Sequence, residues 1–421
     1  MGDTTRLLTM KASVLHLSFL IFLLSPSCRA QSHWGAAVTV NPNLQVAMDE
    51  YEASWLKGKQ AFAFGAELLR SALPSDSSSY DRDFGYPTLA FGLRYSLNHH
   101  VTMHRDESWG KDRMVDYYSR LGNTLTAYAT FARPLLRSRH WEADYALGLG
   151  LGYASHIYNK VDCIDNELIG SHLSVYFTGG LHLTYHPVAE WGVRLGADFC
   201  HHSNGALARP NKGANALGPT LAVVYTPYYK AVTDSGRHRR QSAPYAGRSR
   251  HRVDVSVGVG GKTLLEEWQL TQYSTPVDAS DYRKEHFTFY MAYSAHARWM
   301  YRYARRWASG IGADVNYGTY AHRVETIARE RGDQSPVSPW SLGLSANHAV
   351  FYHQLSLQMA LGCYLHRQMG AWAKVLEQPY YERIGLYYTP LRADRITVGI
   401  SLNAHRTKAD LTELVVGYNI L

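Results

Sequence analysis

The stretch Trp191–Gly218 reads WGVRLGADFCHHSNGALARPNKGANALG and contains residue types that could do chemistry together. Trp191, Val193, Leu195, Ala197 and Phe199 alternate along one face of a strand, and continuing by twos brings His201 and Ser203 onto that same face. An imidazole and a hydroxyl two residues apart on a strand lie within reach of a hydrogen bond. That pair is the minimum for a nucleophilic serine whose proton the histidine removes. Asn204 and Gly205 follow at once and can offer N–H donors to a developing oxyanion. His202 falls on the opposite face. The pairs His99-His100 and His201-His202 lack a third ligand at metal-binding spacing, so no metal site is expected.

The strand that carries this dyad is one of many. Strict period-two alternation runs through Ser171–Tyr185, where Leu173, Val175, Phe177, Leu181 and Leu183 face one way and Ser174, Tyr176, Thr178 and His182 the other. The same pattern recurs in Tyr145–Tyr153, Val253–Val259, Phe287–Tyr293 and Leu355–Leu361. About sixteen strands follow from it, near 36–48, 58–70, 86–97, 121–133, 141–156, 171–185, 191–203, 216–227, 252–262, 286–300, 307–319, 339–349, 354–366, 380–389, 395–405 and 410–421. Tight joins (134–140, 186–190, 301–306, 350–354, 390–394) mostly alternate with long ones (98–120, 160–170, 320–338). Outer-membrane barrels show this asymmetry of short periplasmic turns and longer extracellular loops. Two joins break the rule, 71–86 and the central linker.

Composition agrees. The 421 residues include 31 Tyr, 10 Trp and 34 Gly, with 19% charged residues and a net charge of +8. A mean hydropathy of −0.29 excludes a bundle of membrane helices, and the apolar content excludes disorder. A soluble β protein and a membrane barrel remain, and Tyr153, Tyr185, Trp191, Tyr225 and Trp340 at strand ends favour the membrane barrel by forming interfacial girdles. The one long apolar run, Val14–Leu24, follows Arg6 and Lys11 and precedes Ala30. It is too short to span a bilayer and reads as an export signal over residues 1–30, cleaved before Gln31.

The expected organisation is that signal, a first set of strands over 31–229, a basic linker over 230–252 and a second set over 253–421. One barrel of about sixteen strands is the preferred reading, because many inward positions are polar or Gly and suit a wetted lumen; two eight-stranded barrels or a fourteen-stranded barrel are the alternatives. Only Tyr245 stands among the arginines of the linker, too few aromatic residues for base stacking, so it reads as a solvated connection and no nucleic acid is expected. Cys163 and Cys200 could be neighbours, and whether they form a bridge stays open; Cys363 reads as a small lipid-facing residue.

His201-x-Ser203-Asn204-Gly205, followed by Pro210-Asn211-x-Gly213 and a further strand, resembles the motif of the lipid A 3-O-deacylases (PagL-like). The second half resembles the longer barrels described as acyloxyacyl hydrolases, through Tyr381-Glu382-Arg383-Ile384-Gly385-Leu386 and Ala404–Asp410. The resemblance implies an outer-membrane ester hydrolase of a Gram-negative bacterium, acting on lipopolysaccharide from the lipid-facing wall without a cofactor. By it Ser203 is the nucleophile, His201 the general base, and Asn204 and Gly205 the oxyanion hole. The family's third member, a glutamate, falls on Asn215, whose carbonyl can orient an imidazole but cannot neutralise its charge. Lys111, Arg113, Arg209 and Lys212 could meet lipid A phosphates. The competing readings are a porin-like channel and a barrel that keeps the scaffold without catalysis. The sequence gives no oligomeric state.

Overall fold

The computed structural model describes residues 33–105, 118–234 and 250–420. The expected export signal and most of the basic linker, together with Lys111 and Arg113, lie outside these residues. The first half comprises β1 (Trp34–Gln45), β2 (Leu56–Ser71), β3 (Thr88–Leu97), β4 (Val101–Met103), β5 (Thr124–Arg137), β6 (Trp141–Ala154), β7 (Leu173–Val188), β8 (Trp191–Ser203) and β9 (Ala214–Tyr225). The second comprises β10 (His251–Thr263), β11 (Phe289–Ala304), β12 (Trp307–Gly318), β13 (Val337–Tyr352), β14 (Leu355–Met369), β15 (Tyr380–Tyr388), β16 (Ile396–His405) and β17 (Lys408–Asn419). All sixteen expected strands are present, and β4 is a short addition that pairs with the start of β2.

The strands form two barrels, so the preferred expectation of a single sixteen-stranded barrel is corrected in favour of the eight-plus-eight alternative. The deciding pairings are long-range. Strand β9 returns to β1, from Ala36 opposite Tyr225 to Gln45 opposite Ala216, and β1 also pairs with β2, which closes eight staves. Strand β10 likewise closes on β17.

The inward polar and glycine residues do not line an open channel. An eight-stranded barrel is only wide enough for side chains to fill it, and these residues supply the filling. Gly343 and Gly362 leave the space that the Tyr381 ring occupies. In the first barrel the His182 Nδ1 and Nε2 atoms lie 3.0 Å from Asp144 and 3.0 Å from Asp198, and the Tyr128 hydroxyl donates to Glu67 at 2.8 Å. In the second, His296 Nδ1 lies 2.7 Å from Asp314, to which Arg383 also donates at 3.0 Å. Buried charges are tolerated when paired in this way. The Tyr381–Leu386 motif is thus largely lumen packing, since Tyr381 also donates to Asp314.

The outer walls are apolar. Leu147, Leu149 and Leu151 of β6 and Leu181 and Leu183 of β7 are exposed, as the alternation requires of lipid-facing positions. Aromatic pairs mark the rims: Trp141 with Tyr185 and Trp191 with Tyr225 at one end, and Tyr317 with Trp340 at the other, all with ring centroids within 5 Å. Cys363 is exposed, and Cys163 and Cys200 are not bridged to each other. Among the described residues no helix is long and apolar enough to cross a membrane.

The two barrels touch at both rims. The long join 72–87, which broke the short-turn pattern, carries the helix Ser79–Phe84 onto the turns of the second barrel. There the Tyr352 hydroxyl donates to Asp81 at 2.7 Å, His353 Nε2 lies 3.0 Å from Asp81, and Arg306 donates to the Asp83 carbonyl at 2.7 Å. At the other rim, Tyr158 donates to the Arg283 carbonyl at 3.1 Å and Gln272 donates to Tyr158 at 2.9 Å.

Candidate active site

Strand β8 keeps its alternation to the end. His202 points into the lumen, with Nε2 3.0 Å from Thr126 Oγ1, so His201 and Ser203 face out. The neighbouring strands agree: Ser203 lies opposite Val175 and His201 opposite Phe177 on β7. On the other side His201 lies opposite Asn215 of β9.

That pairing brings together two residues fourteen apart in sequence. His201 Nδ1 sits 2.7 Å from Asn215 Oδ1, while Asn215 Nδ2 donates to the Gly213 carbonyl at 3.3 Å. The second bond fixes the amide so that its oxygen, an acceptor, meets the ring. Nδ1 must then carry the proton, which leaves Nε2 as the basic nitrogen. Gly213 is needed at this point: its φ is +83°, and a Cβ there would lie 2.5 Å from His201 Cε1. Asn215 and Ser203 are both buried, although both occupy the outward face. The loop 204–213 packs against this face, with Gly213 beside the His201 ring.

The loop is tightly held. Asn211 Oδ1 accepts from the Asn204 N–H at 2.9 Å, Asn204 Nδ2 donates to Ser171 Oγ at 3.1 Å, and the Asn204 carbonyl accepts from the Leu207 N–H at 3.2 Å. The Lys212 and Gly213 N–H groups donate to the carbonyls of Glu167 and Leu168, each at 3.0 Å. The Asn204 backbone N–H is therefore engaged, whereas the Gly205 N–H donates to no described residue. Gly205 adopts φ +62° and Ala206 φ +72°, two consecutive left-handed residues that turn the chain sharply after the serine.

Of the cationic side chains expected to meet phosphates, the two that are described are already engaged. Arg209 is buried with its Nε on the Thr263 carbonyl at 3.2 Å, and Lys212 is paired with Asp49 at 2.8 Å. Burial, the largest influence on Asp49, pushes its carboxyl up. The hydrogen bonds from Lys212 and the Glu52 N–H, with the charges of Lys212 and Lys408, outweigh it and hold Asp49 below the usual carboxylate range. His405 and Asp410 lie with Glu377 inside the second barrel, where Lys262 and Arg367 already supply the positive charge between the carboxylates. That cluster closes the loop end of the lumen. Sequence reasoning missed Thr263 and Thr412, which touch the site loop from the second barrel and carry no local signal of doing so.

Two antiparallel barrels with apolar walls, aromatic rims and long loops at one end define a protein of the bacterial outer membrane. Residues 89–224 match the family described as lipid A 3-O-deacylase (PagL), and residues 251–421 match the family described as acyloxyacyl hydrolase, C-terminal domain. Both barrels therefore match family models of the PagL type that the sequence resembles. No curated protein matches this chain. Among solved structures, the outer membrane enzyme PagL is 15% identical over 46% of this chain and 99% of its own, with a TM-score of 0.28. An outer membrane channel from Pseudomonas putida F1 is 11% identical over 92% of this chain and 96% of its own, at 0.21. The siderophore receptor PirA from Pseudomonas aeruginosa is 10% identical over 94% of this chain and 82% of its own, at 0.22.

Proposed function

We propose that this protein is an exported outer-membrane esterase that removes an ester-linked acyl chain from lipid A, with Ser203 as nucleophile. The observation that carries the reading is the His201–Asn215 contact at 2.7 Å, on the outer wall and one outward position from Ser203. A polar group on a lipid-facing wall is costly, and here two such groups, His201 and Asn215, meet on the face that Ser203 shares.

In this mechanism His201 Nε2 takes the proton of Ser203 Oγ as the oxygen attacks the acyl carbonyl carbon. The tetrahedral oxyanion forms beside the Gly205 N–H, a donor of the kind that stabilises such charge; Asn204 shapes the turn that presents it. The ester C–O bond then breaks, and His201 returns its proton to the departing sugar hydroxyl. Water attacks the acyl-enzyme with His201 again as base, releasing the fatty acid and restoring the Ser203 hydroxyl. Asn215 holds the ring in the required tautomer throughout, and no cofactor takes part. Packed lumens in both barrels argue against a channel.

The test is mass spectrometry of lipid A from cells expressing the wild type, Ser203→Ala and His201→Ala. Loss of one acyl chain in the wild type alone is expected. Identical lipid A in all three would overturn the reading.

A further inference from the structure

We propose that the second barrel is a working part of the esterase site, because its outer wall positions the loop that carries the oxyanion donor. The inference rests on the esterase reading above. It concerns Thr412 and Thr263 as positioning residues, acting through the backbone of Gly205 and Ala206.

Four hydrogen bonds cross from one barrel to the other at this point. Thr412 Oγ1 donates to the Gly205 carbonyl at 2.9 Å. The Thr263 N–H and Oγ1 both donate to the Ala206 carbonyl, at 2.8 Å and 3.0 Å. Arg209 Nε returns from the loop to the Thr263 carbonyl at 3.2 Å. The loop thus grips the second barrel at both its beginning and its middle.

The two threonines sit where lipid would otherwise be. Gly261 lies opposite Thr412 across β10 and β17, and Leu402 lies opposite it across β16 and β17. Thr412 shares its face with Leu414 and Val416, and Thr263 shares its face with Val257 and Val259; all four of those neighbours are exposed. Thr263 is only 3% exposed, because the loop of the first barrel covers it. The Leu402 side chain stands 3.7 Å from the place a Gly205 Cβ would take, and Thr412 Oγ1 stands closer still. Only glycine fits at 205 with the second barrel in place.

The chemical consequence follows from the planarity of the peptide. A carbonyl and the next N–H point in opposite directions across one rigid unit. The Leu207 bond to the Asn204 carbonyl sets the plane that carries the Gly205 N–H, and the Thr412 bond to the Gly205 carbonyl sets the plane that follows. The next residue, Ala206, also lies in the left-handed region at φ +72°, which is costly for a side chain with a Cβ, so the loop is held there by these partners rather than by backbone preference. Oxyanion donors must be aimed before the reaction, since reorientation during it would cancel their benefit. The second barrel supplies that aim through the backbone: its bonds to the Ala206 carbonyl fix the plane that carries the Leu207 N–H, which in turn holds the Asn204 carbonyl.

The experiment uses the full chain in detergent micelles with purified lipid A, and measures kcat and KM separately for the wild type, Thr412→Val, Thr412→Ser and Thr263→Val. Thr412→Val keeps the shape and removes the donor. It is expected to lower kcat about tenfold, the order a single neutral hydrogen bond contributes, with KM within about twofold. Thr412→Ser restores the donor and should keep kcat within about twofold of wild type. Thr263→Val keeps its N–H bond and should lose less than Thr412→Val. Unchanged kcat in Thr412→Val, or an equal loss in Thr412→Ser, would overturn the inference. Should Thr412→Val fail to fold, Thr412→Ser and Thr263→Val decide, and full activity in Thr263→Val would count against the clamp. A wild type indistinguishable from Ser203→Ala would instead sink the esterase reading itself.

Discussion

Replacing Asn215 by glutamate, and separately by leucine, probes the group that distinguishes this site from its family pattern. In the wild type a neutral carbonyl oxygen meets His201 Nδ1 at 2.7 Å. Attack by Ser203 turns the ring into an imidazolium, and a carboxylate in that place would stabilise the new charge. A charge-assisted hydrogen bond exceeds a neutral one by about 1–2 kcal/mol. If that difference appears in the transition state, kcat rises roughly 5- to 30-fold in Asn215→Glu. Asn215 is only 3% exposed, so the new carboxylate is also buried, and stability should fall even as the rate rises. Asn215→Leu has the opposite effect on rate. It leaves the ring N–H without an acceptor in a buried place, a loss of about 1–3 kcal/mol that corresponds to roughly 5- to 150-fold in kcat. The assay is release of fatty acid from purified lipid A in micelles, with thermal unfolding followed on the same samples. An Asn215→Leu enzyme as fast as wild type would refute the assignment of Asn215 as the residue that orients His201.

Three further outcomes are expected. Gly213→Ala sets a methyl 2.5 Å from His201 Cε1 at a φ of +83°, so kcat should drop at least about tenfold, with a modest loss of stability of about 1 kcal/mol; fatty-acid release and thermal unfolding measure both. Asp81→Ala removes the acceptor of Tyr352 and a partner of His353 at the turn rim, and should weaken the union of the barrels by about 1–3 kcal/mol. A double-mutant cycle with Tyr352→Phe, read by thermal unfolding, would show no coupling if that contact were idle. Because the folded Asp49 carboxyl is held below its ordinary range, its tie to Lys212 is present at neutral pH and is lost as pH falls through that depressed value. The protection of the 204–213 amides, taken relative to their intrinsic exchange rate at each pH, should therefore fall on acidification in the wild type and stay constant over the same change in Asp49→Asn.

Much of this protein is legible locally. Alternation in segments such as Leu173–Leu183 marks a strand with one lipid face, because side chains in a strand must alternate whatever the partner. The same rule places His201 and Ser203 on the outward face and His202 inside, as the contact of His202 with Thr126 bears out. The irregular join 72–87 is visible in sequence as an exception, but its reason is not, since Asp81 and Asp83 acquire meaning only beside Tyr352 and Arg306.

The sequence by itself determined the strands, their faces and the short segment that joins a histidine, a serine and a tight turn. These depend on neighbours within a few residues. Tertiary structure alone decided that β9 returns to β1 instead of continuing to β10, because strand pairing exchanges one set of backbone hydrogen bonds for an equivalent set and leaves no trace in composition. It also decided that Thr412, more than two hundred residues away, meets Gly205. Contacts of that kind arise when two finished walls are laid against each other, and they depend on the shape of both.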